Sequence, residues 1–179
     1  MATVKFNSKV PEYAFLSAFY PGPFMAPLGK KMVLFPHREA YYQAHKTKDK
    51  EQIAKIVNSL EGSRAKYFGS AKGGARIIDG FDKKRKDIMR EAIRYQMTQN
   101  PLLRALLHST GNAKIVEEAY WDDYFGSGRN GDGKNVHGKL LREYRDEGIP
   151  EEEQERYKPK AKYKDLHFFP IIKAERNND

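Results

Sequence analysis

The chain has 179 residues, the length of about one domain with a short extension, and its 39% hydrophobic and 12% aromatic content supplies a packed interior and excludes disorder as a whole-chain description. It carries 33 Lys and Arg against 24 Asp and Glu, a formal net charge of +9, so an anionic partner is the natural expectation. With no cysteine, disulfide scaffolds, thiol nucleophiles, zinc ribbons and iron–sulfur clusters are excluded together.

The segment MATVKFNSKV has no apolar signal region, and no run approaches the ~18 apolar residues of a membrane span, so a cytoplasmic protein is expected. The charge is unevenly placed. Residues 1–90 hold 18 basic and 8 acidic side chains, with Lys83-Lys84-Arg85-Lys86 the densest block, whereas residues 91–150 hold 8 and 9 and residues 151–179 hold 7 and 7. The block reads either as a solvated helix face or as a rim that attracts phosphate.

Residues 1–35 combine aromatics with Pro and Gly (Phe15, Phe19, Tyr20-Pro21-Gly22-Pro23-Phe24), which suits short strands and turns, and 30–35 (KKMVLF) reads as a strand. Pro36 suits a first helical turn, and HREAYYQAHK follows as helix, with Glu39, Gln43 and Lys46 on one face. Ile53, Ile56, Val57 and Leu60 recur at helical spacing from Asp49 to near Gly62, and Ser63 is placed to cap a short helix that Gly69 stops. GSAKGGARIIDG reads as loop. Asp82 to about Met97 predicts a long helix with Ile88, Met89, Ala92, Ile93 and Met97 buried. Asn100-Pro101 predicts a capped start to the next helix, with Leu102, Leu103, Leu106 and Leu107 buried and Gly111 closing it. KIVEEAYW, 114–121, reads as a strand, DDYFGSGRNGDGKN as a glycine-rich loop, and Asn135 as the cap of a last core helix ending at Gly148. The final 29 residues predict an appendage that packs Phe168, Phe169 and Ile171 on the body. The expected architecture is a predominantly helical α+β fold, a single domain over 1–150 with short strands and a C-terminal extension over 151–179.

GSGRNG at 126–131 matches the dinucleotide fingerprint, but Asp132-Gly133 forces a turn where its helix should start, and no second βαβ strand follows. Asp122, Asp123 and Asp132 lack calcium-loop spacing, and the five histidines lack metal-ligand pairing, so no metal and no cofactor is expected. Nucleophilic and zinc hydrolase motifs are missing as well.

Five segments then fall in a shared order: FLSAFYPGPF, FPHREAYYQAHKT, RIIDGFDKKRKDIMREAI, QNPLLRALLHSTG and DDYFGSGRNGDGKNVHGKLLREYR. In order and spacing they resemble the NADAR family, also called YbiA-like, over about 15–147. The resemblance implies hydrolysis of an N-glycosidic bond in a phosphorylated ribosyl compound. The substrates it implies are riboflavin-pathway ribosylamino intermediates or ADP-ribosylated guanine in DNA or RNA. It places the family's helix glutamate on Glu39, its glutamine on Gln43 with Lys46 following, and its loop aspartate on Asp122, or on Asp123 if a gap falls near Trp121. Phe125 and Gly126 take the family's aromatic-glycine pair, Phe81 takes a tryptophan position, and Ala18, beside Phe19, takes an asparagine position. Glu39 is then the group that activates water or stabilises the oxocarbenium ion, and Asp122 the one that binds a hydroxyl or transfers a proton. Lys46, Arg76, the amides from Gly126 through Gly128 to Gly133, and Lys139 are candidates for phosphate, and Phe19, Phe81, Phe125 and Asn135 complete the substrate-binding set. Two other readings stand beside this one: a non-catalytic module that binds ADP-ribose or a nucleotide, and a basic nucleic-acid binder.

Overall fold

A computed structural model describes residues 2–159. Two small sheets organise the strands. β1 (Thr3–Phe6) runs parallel to β4 (Lys114–Glu117) in the register Thr3 to Lys114, and β2 (Phe24–Leu28) pairs antiparallel with β3 (Lys31–Phe35). Helices supply the rest of the body: α1 (Arg38–Ala44), α2 (Lys50–Val57), α3 (Gly62–Phe68), α4 (Phe81–Gln99), α5 (Pro101–His108), α6 (Val136–Glu147) and the short α7 (Gln154–Tyr157). The fold is α+β and mainly helical, as the patterning implies. No helix among the described residues is long and apolar enough to cross a membrane.

The core is continuous. Phe24, Phe35, Tyr41 and Tyr95 stack between the β2–β3 hairpin and helices α1 and α4, with Met89, Ile93 and Met97 of α4 buried alongside. α4 spans the molecule because its apolar positions keep helical spacing for 19 residues.

Several local signals resolve differently from their sequence pattern. Pro36 stays outside α1, because extended His37 is the cap and its Nδ1 accepts the Ala40 N–H at 3.1 Å. Nε2 of the same ring therefore carries the proton and donates to the Ser59 carbonyl at 3.0 Å. Ser63 does not cap α3, which starts one residue earlier behind Glu61. Asn100 occupies its cap position but donates its amide to the Pro23 and Gln96 carbonyls, and Leu102 is 72% exposed. The strand expected over 114–121 stops at Glu117, and the chain beyond it folds back on itself. The predicted packing of Phe168, Phe169 and Ile171 lies outside the described residues. Within them, Tyr157 is fully buried against α4, its hydroxyl donating to Glu91 at 2.7 Å.

Burial pushes the His37 pKa down from 6.5 to about 4. The folded state then binds fewer protons than the unfolded one, so this contribution is complete above about pH 6.5 and fades as pH falls toward 4. Chemical denaturation at pH 5 is expected to show a stability about 2 kcal/mol below that at pH 7.5 from this group alone. His37→Asn, which keeps a capping side chain without the titration, is expected to shrink that difference.

Candidate active site

A cavity of about 210 Å³ opens between α1, α3, the first turns of α4, and the chain that leaves β4. Glu39 lies in its wall, only 6% exposed, and its backbone N–H is held by the Ala18 carbonyl at 3.0 Å. The i, i+4 spacing of the sequence becomes a hydrogen bond, Gln43 Nε2 donating to Glu39 Oε1 at 2.6 Å. Gln43 is pressed from behind by Gly69, where a side chain would collide with it. Gly69→Ala is therefore expected to shift Gln43 and cost about tenfold in turnover while the fold persists, which steady-state kinetics beside circular dichroism would check.

Burial raises the Glu39 pKa above the ordinary carboxylate range, the Gln43 hydrogen bond and the charges of Lys66 and Lys46 opposing it. Lys46 moves the other way. Burial lowers its pKa, against the attraction of Glu39, and its ammonium lies 5.1 Å from the Tyr42 ring centre and 5.6 Å from that of Phe81. Burial thus shifts the two groups in opposite senses, each toward its uncharged form.

A second carboxylate enters from β4. Glu117 accepts from His137 Nδ1 at 3.2 Å, and fully buried Arg38, which donates to the Leu16 and Ser17 carbonyls, acts on it through charge. Burial alone would raise the Glu117 pKa, but His137, Arg38 and Lys66 together hold it below the usual value. Arg38 itself is drawn down to about 10 by burial, with Glu117 and Glu39 opposing. His137 Nε2, Gln43 Oε1, and Arg38 Nε and Nη1 are buried with no protein partner.

The loop from Glu118 to Asn135 is tied down along its length. Asp122 Oδ1 accepts the Tyr124 and Phe125 amides at 2.9 and 2.7 Å, which leaves its other oxygen for a ligand. Asn135, at φ 49°, bonds both Glu117 N–H and the Ile115 carbonyl, so it anchors the loop to β4 in place of capping α6. Aromatic rings continue the wall: Phe125 meets Tyr42 edge-on at 5.4 Å, and Tyr42 is packed in turn against Phe81 at 5.3 Å. Arg85 lies 3.4 Å over Tyr124 and also lines the cavity, while Lys83, Lys84 and Lys86 of the same basic block face solvent.

Of the residues that the sequence singles out, Phe19, Glu39, Gln43, Lys46, Asp122 and Phe125 line this one cavity. Phe81 backs Tyr42 without lining it. Asp123 is exposed, with its carboxylate packed close to Gly128, and Gly126 is packed against Ala119. Lys139 is exposed on α6, and Arg76 lines a separate open depression with Lys48, Asp49 and Lys84. Lys66, Glu117, Trp121 and His137 also line the cavity without being among the candidates the sequence offers, and so does Tyr42, which the sequence sets beside the Glu39 stripe. Only the i+3 step from Glu39 to Tyr42 was legible beforehand; the others arrive through tertiary pairing. No group of three or more His, Asp or Glu among the described residues is arranged to hold a metal ion.

A helix-borne buried carboxylate facing a tied glycine loop, in a small mainly helical α+β domain, defines the class, and the NADAR domain model matches residues 5–147. The chain belongs to the NADAR domain family. It is 33% identical over 147 residues to the N-glycosidase YbiA of Shigella boydii and 32% identical to that of Escherichia coli K12, in each case over 80% of this chain and 87% of the relative. It is also 30% identical over 122 residues to the chloroplastic riboflavin biosynthesis protein PYRR of Zea mays, covering 63% of this chain and 20% of that protein. The NMR structure of Escherichia coli YbiA superposes with a TM-score of 0.69 at 30% identity, covering 81% of this chain and 83% of that one.

Proposed function

We propose that this protein is an N-glycosidase that hydrolyses the C1′–N bond of a phosphorylated ribosyl compound. The observation that carries the reading is Glu39, a carboxylate buried in a cavity wall, made more basic by its surroundings and flanked by Lys46 and Lys66. Two relatives that bear the name N-glycosidase support it.

Cleavage moves the C1′–N bonding pair onto the departing base and leaves positive charge on the sugar. Glu39 faces that charge and takes the proton of the attacking water, whose oxygen bonds to C1′. The free oxygen of Asp122 accepts a sugar hydroxyl or returns a proton to the base. Lys46 and Lys66 attract the substrate's phosphate. None of these steps calls for a metal. A cytoplasmic location fits a metabolite or nucleic-acid substrate of this kind.

Incubating the wild-type protein with a ribosylaminopyrimidine 5′-phosphate, and separately with an ADP-ribosylated guanine oligonucleotide, distinguishes the two substrate classes by which one releases its base. Binding without release of base from either would favour the non-catalytic ADP-ribose-binding reading. Salt-sensitive affinity for unmodified DNA or RNA, lost on neutralising Lys83, Lys84 and Lys86, would favour the nucleic-acid binder.

The lowered pKa of Lys46 favours a second course for the same bond. Lys46 Nζ, once deprotonated, attacks C1′ as the base leaves with the C1′–N bonding pair and takes up a proton. The proton lost from the new C1′–Nζ ammonium goes to the ring oxygen as the ring opens to an iminium ion, and water adds to C1′ to release the sugar and return the free amine. Borohydride added during turnover is expected to trap a sugar on Lys46 if this course operates, and to leave the protein mass unchanged if water attacks directly.

A further inference from the structure

Trp121 is the chain's single tryptophan and lines the cavity while remaining 74% exposed. Single exposed apolar side chains are ordinary on a protein surface; what sets Trp121 apart is that, of the exposed large apolar side chains among the described residues, it is the one that lines this cavity. Its loop is not slack. The Asp122 N–H donates to the Ala119 carbonyl at 3.1 Å, the Ser127 N–H to Glu117 at 2.9 Å, and the Gly128 N–H to Ala119 and Asp122 at 3.2 Å each. The neighbouring Asp122 carboxylate fixes the next turn. The backbone that carries the indole is therefore held at a set place on the rim, ahead of any ligand.

The size of the cavity says what part of a substrate reaches that rim. At about 210 Å³ it falls short of the ~300 Å³ at which pockets begin to enclose drug-sized ligands. On the glycosidase reading the sugar phosphate occupies this space, and the base attached at C1′ is left toward the mouth. We propose that Trp121 is the platform on which the departing base stacks, so that this residue selects substrates with a planar aromatic base over those whose nitrogen substituent is not aromatic. The proposal rests on the glycosidase reading for the position of the sugar. The stacking itself does not depend on Glu39 performing chemistry.

A lone tryptophan makes the test direct, because excitation at the red edge of the absorption band reports on residue 121 alone. Guanosine 5′-monophosphate is expected to quench the emission along a saturable curve, whereas ribose 5-phosphate is expected to bind with little quenching. With a ribosyl substrate that the wild type turns over, Trp121→Ala is expected to raise KM about tenfold or more, in line with the loss of one base–aromatic stack, and to leave kcat within about threefold. Trp121→Phe is expected to restore most of the KM. The exposed position makes an unchanged melting temperature the expectation for both variants.

Purely linear, collisional quenching by the nucleotide would overturn the proposal, as would a KM for Trp121→Ala equal to that of the wild type. If no ribosyl substrate is turned over but nucleotide quenching still saturates, the glycosidase reading fails and the platform stands. If turnover depends on Glu39 but is indifferent to residue 121, the reverse holds.

Discussion

Glu39→Gln is expected to lower kcat on the preferred ribosyl substrate by 100- to 10,000-fold, the span usual for loss of a positioned acid or base, with little change in substrate affinity. The substitution is close to isosteric, and the amide oxygen can still accept from Gln43 Nε2, so the cavity keeps its shape. The same variant is expected to be more stable than the wild type, with a definite pH dependence. Because burial raises the Glu39 pKa, the folded state keeps a proton that the unfolded chain has already released, and stability falls as pH rises from about 4.3 through the folded value. Glutamine avoids that loss. Melting temperatures measured from pH 4 to 8 should coincide at the acid end and separate above it, the variant lying higher. A variant that is inactive and also less stable at pH 8 would mean that Glu39 holds the fold together instead of straining it.

Arg38→Leu is expected to produce the largest loss of stability, about 3–5 kcal/mol, because it removes one member of a buried charged set and leaves the others uncompensated. Arg38 is fully buried. Its guanidinium bonds the Leu16 and Ser17 carbonyls, which would lose their donor, and it offsets the charges of Glu117 and Glu39. At roughly 2–4 °C per kcal/mol for a domain of this size, a drop of about 10 °C in melting temperature is anticipated. Glu117 behaves oppositely to Glu39. Its lowered pKa means that its contribution is present at neutral pH and is lost only as pH falls below the ordinary carboxylate range. Glu117→Gln should thus destabilise at pH 7 and become neutral in strong acid. Two carboxylates in one cavity are thus displaced in opposite directions, Glu39 toward its protonated form and Glu117 toward its ionised form.

The helices were the legible part of this fold, since α4 and α5 carry their apolar residues at helical spacing and end at recognisable stops. Leu102 shows the limit of that reading, because a helix that buries one face still exposes a leucine on the other. Glu39 and Gln43 could be grouped from spacing alone, and the hydrogen bond between them follows from it, whereas α1 ends at Ala44 and Lys46, expected on the same helix face, reaches the cavity from the turn beyond. Glu117 and His137 could not be grouped in this way. They meet through a loop whose path is set by Asn135 bonding back to β4, and nothing in the local sequence announces that anchor. Trp121 is less legible for another reason: it ends the segment that reads as a strand, whereas β4 stops at Glu117 and leaves it on the loop. Arg76, the first residue of the third motif segment, faces a different depression with Lys48, Asp49 and Lys84.

The parallel pairing of β1 with β4 has a consequence for the order in which the molecule can be made. The two strands are separated by some 110 residues, and at a synthesis rate of roughly 5–20 residues per second the earlier strand waits on the order of ten seconds for its partner. During that interval the hairpin and α1 can already be in place, with Glu39 on its helix, while the wall that Glu117 and the glycine loop provide does not yet exist. The half of the cavity that carries Glu39 is thus translated early and closed late, and a nascent chain stalled before residue 117 would lack the wall that Glu117 and the glycine loop supply.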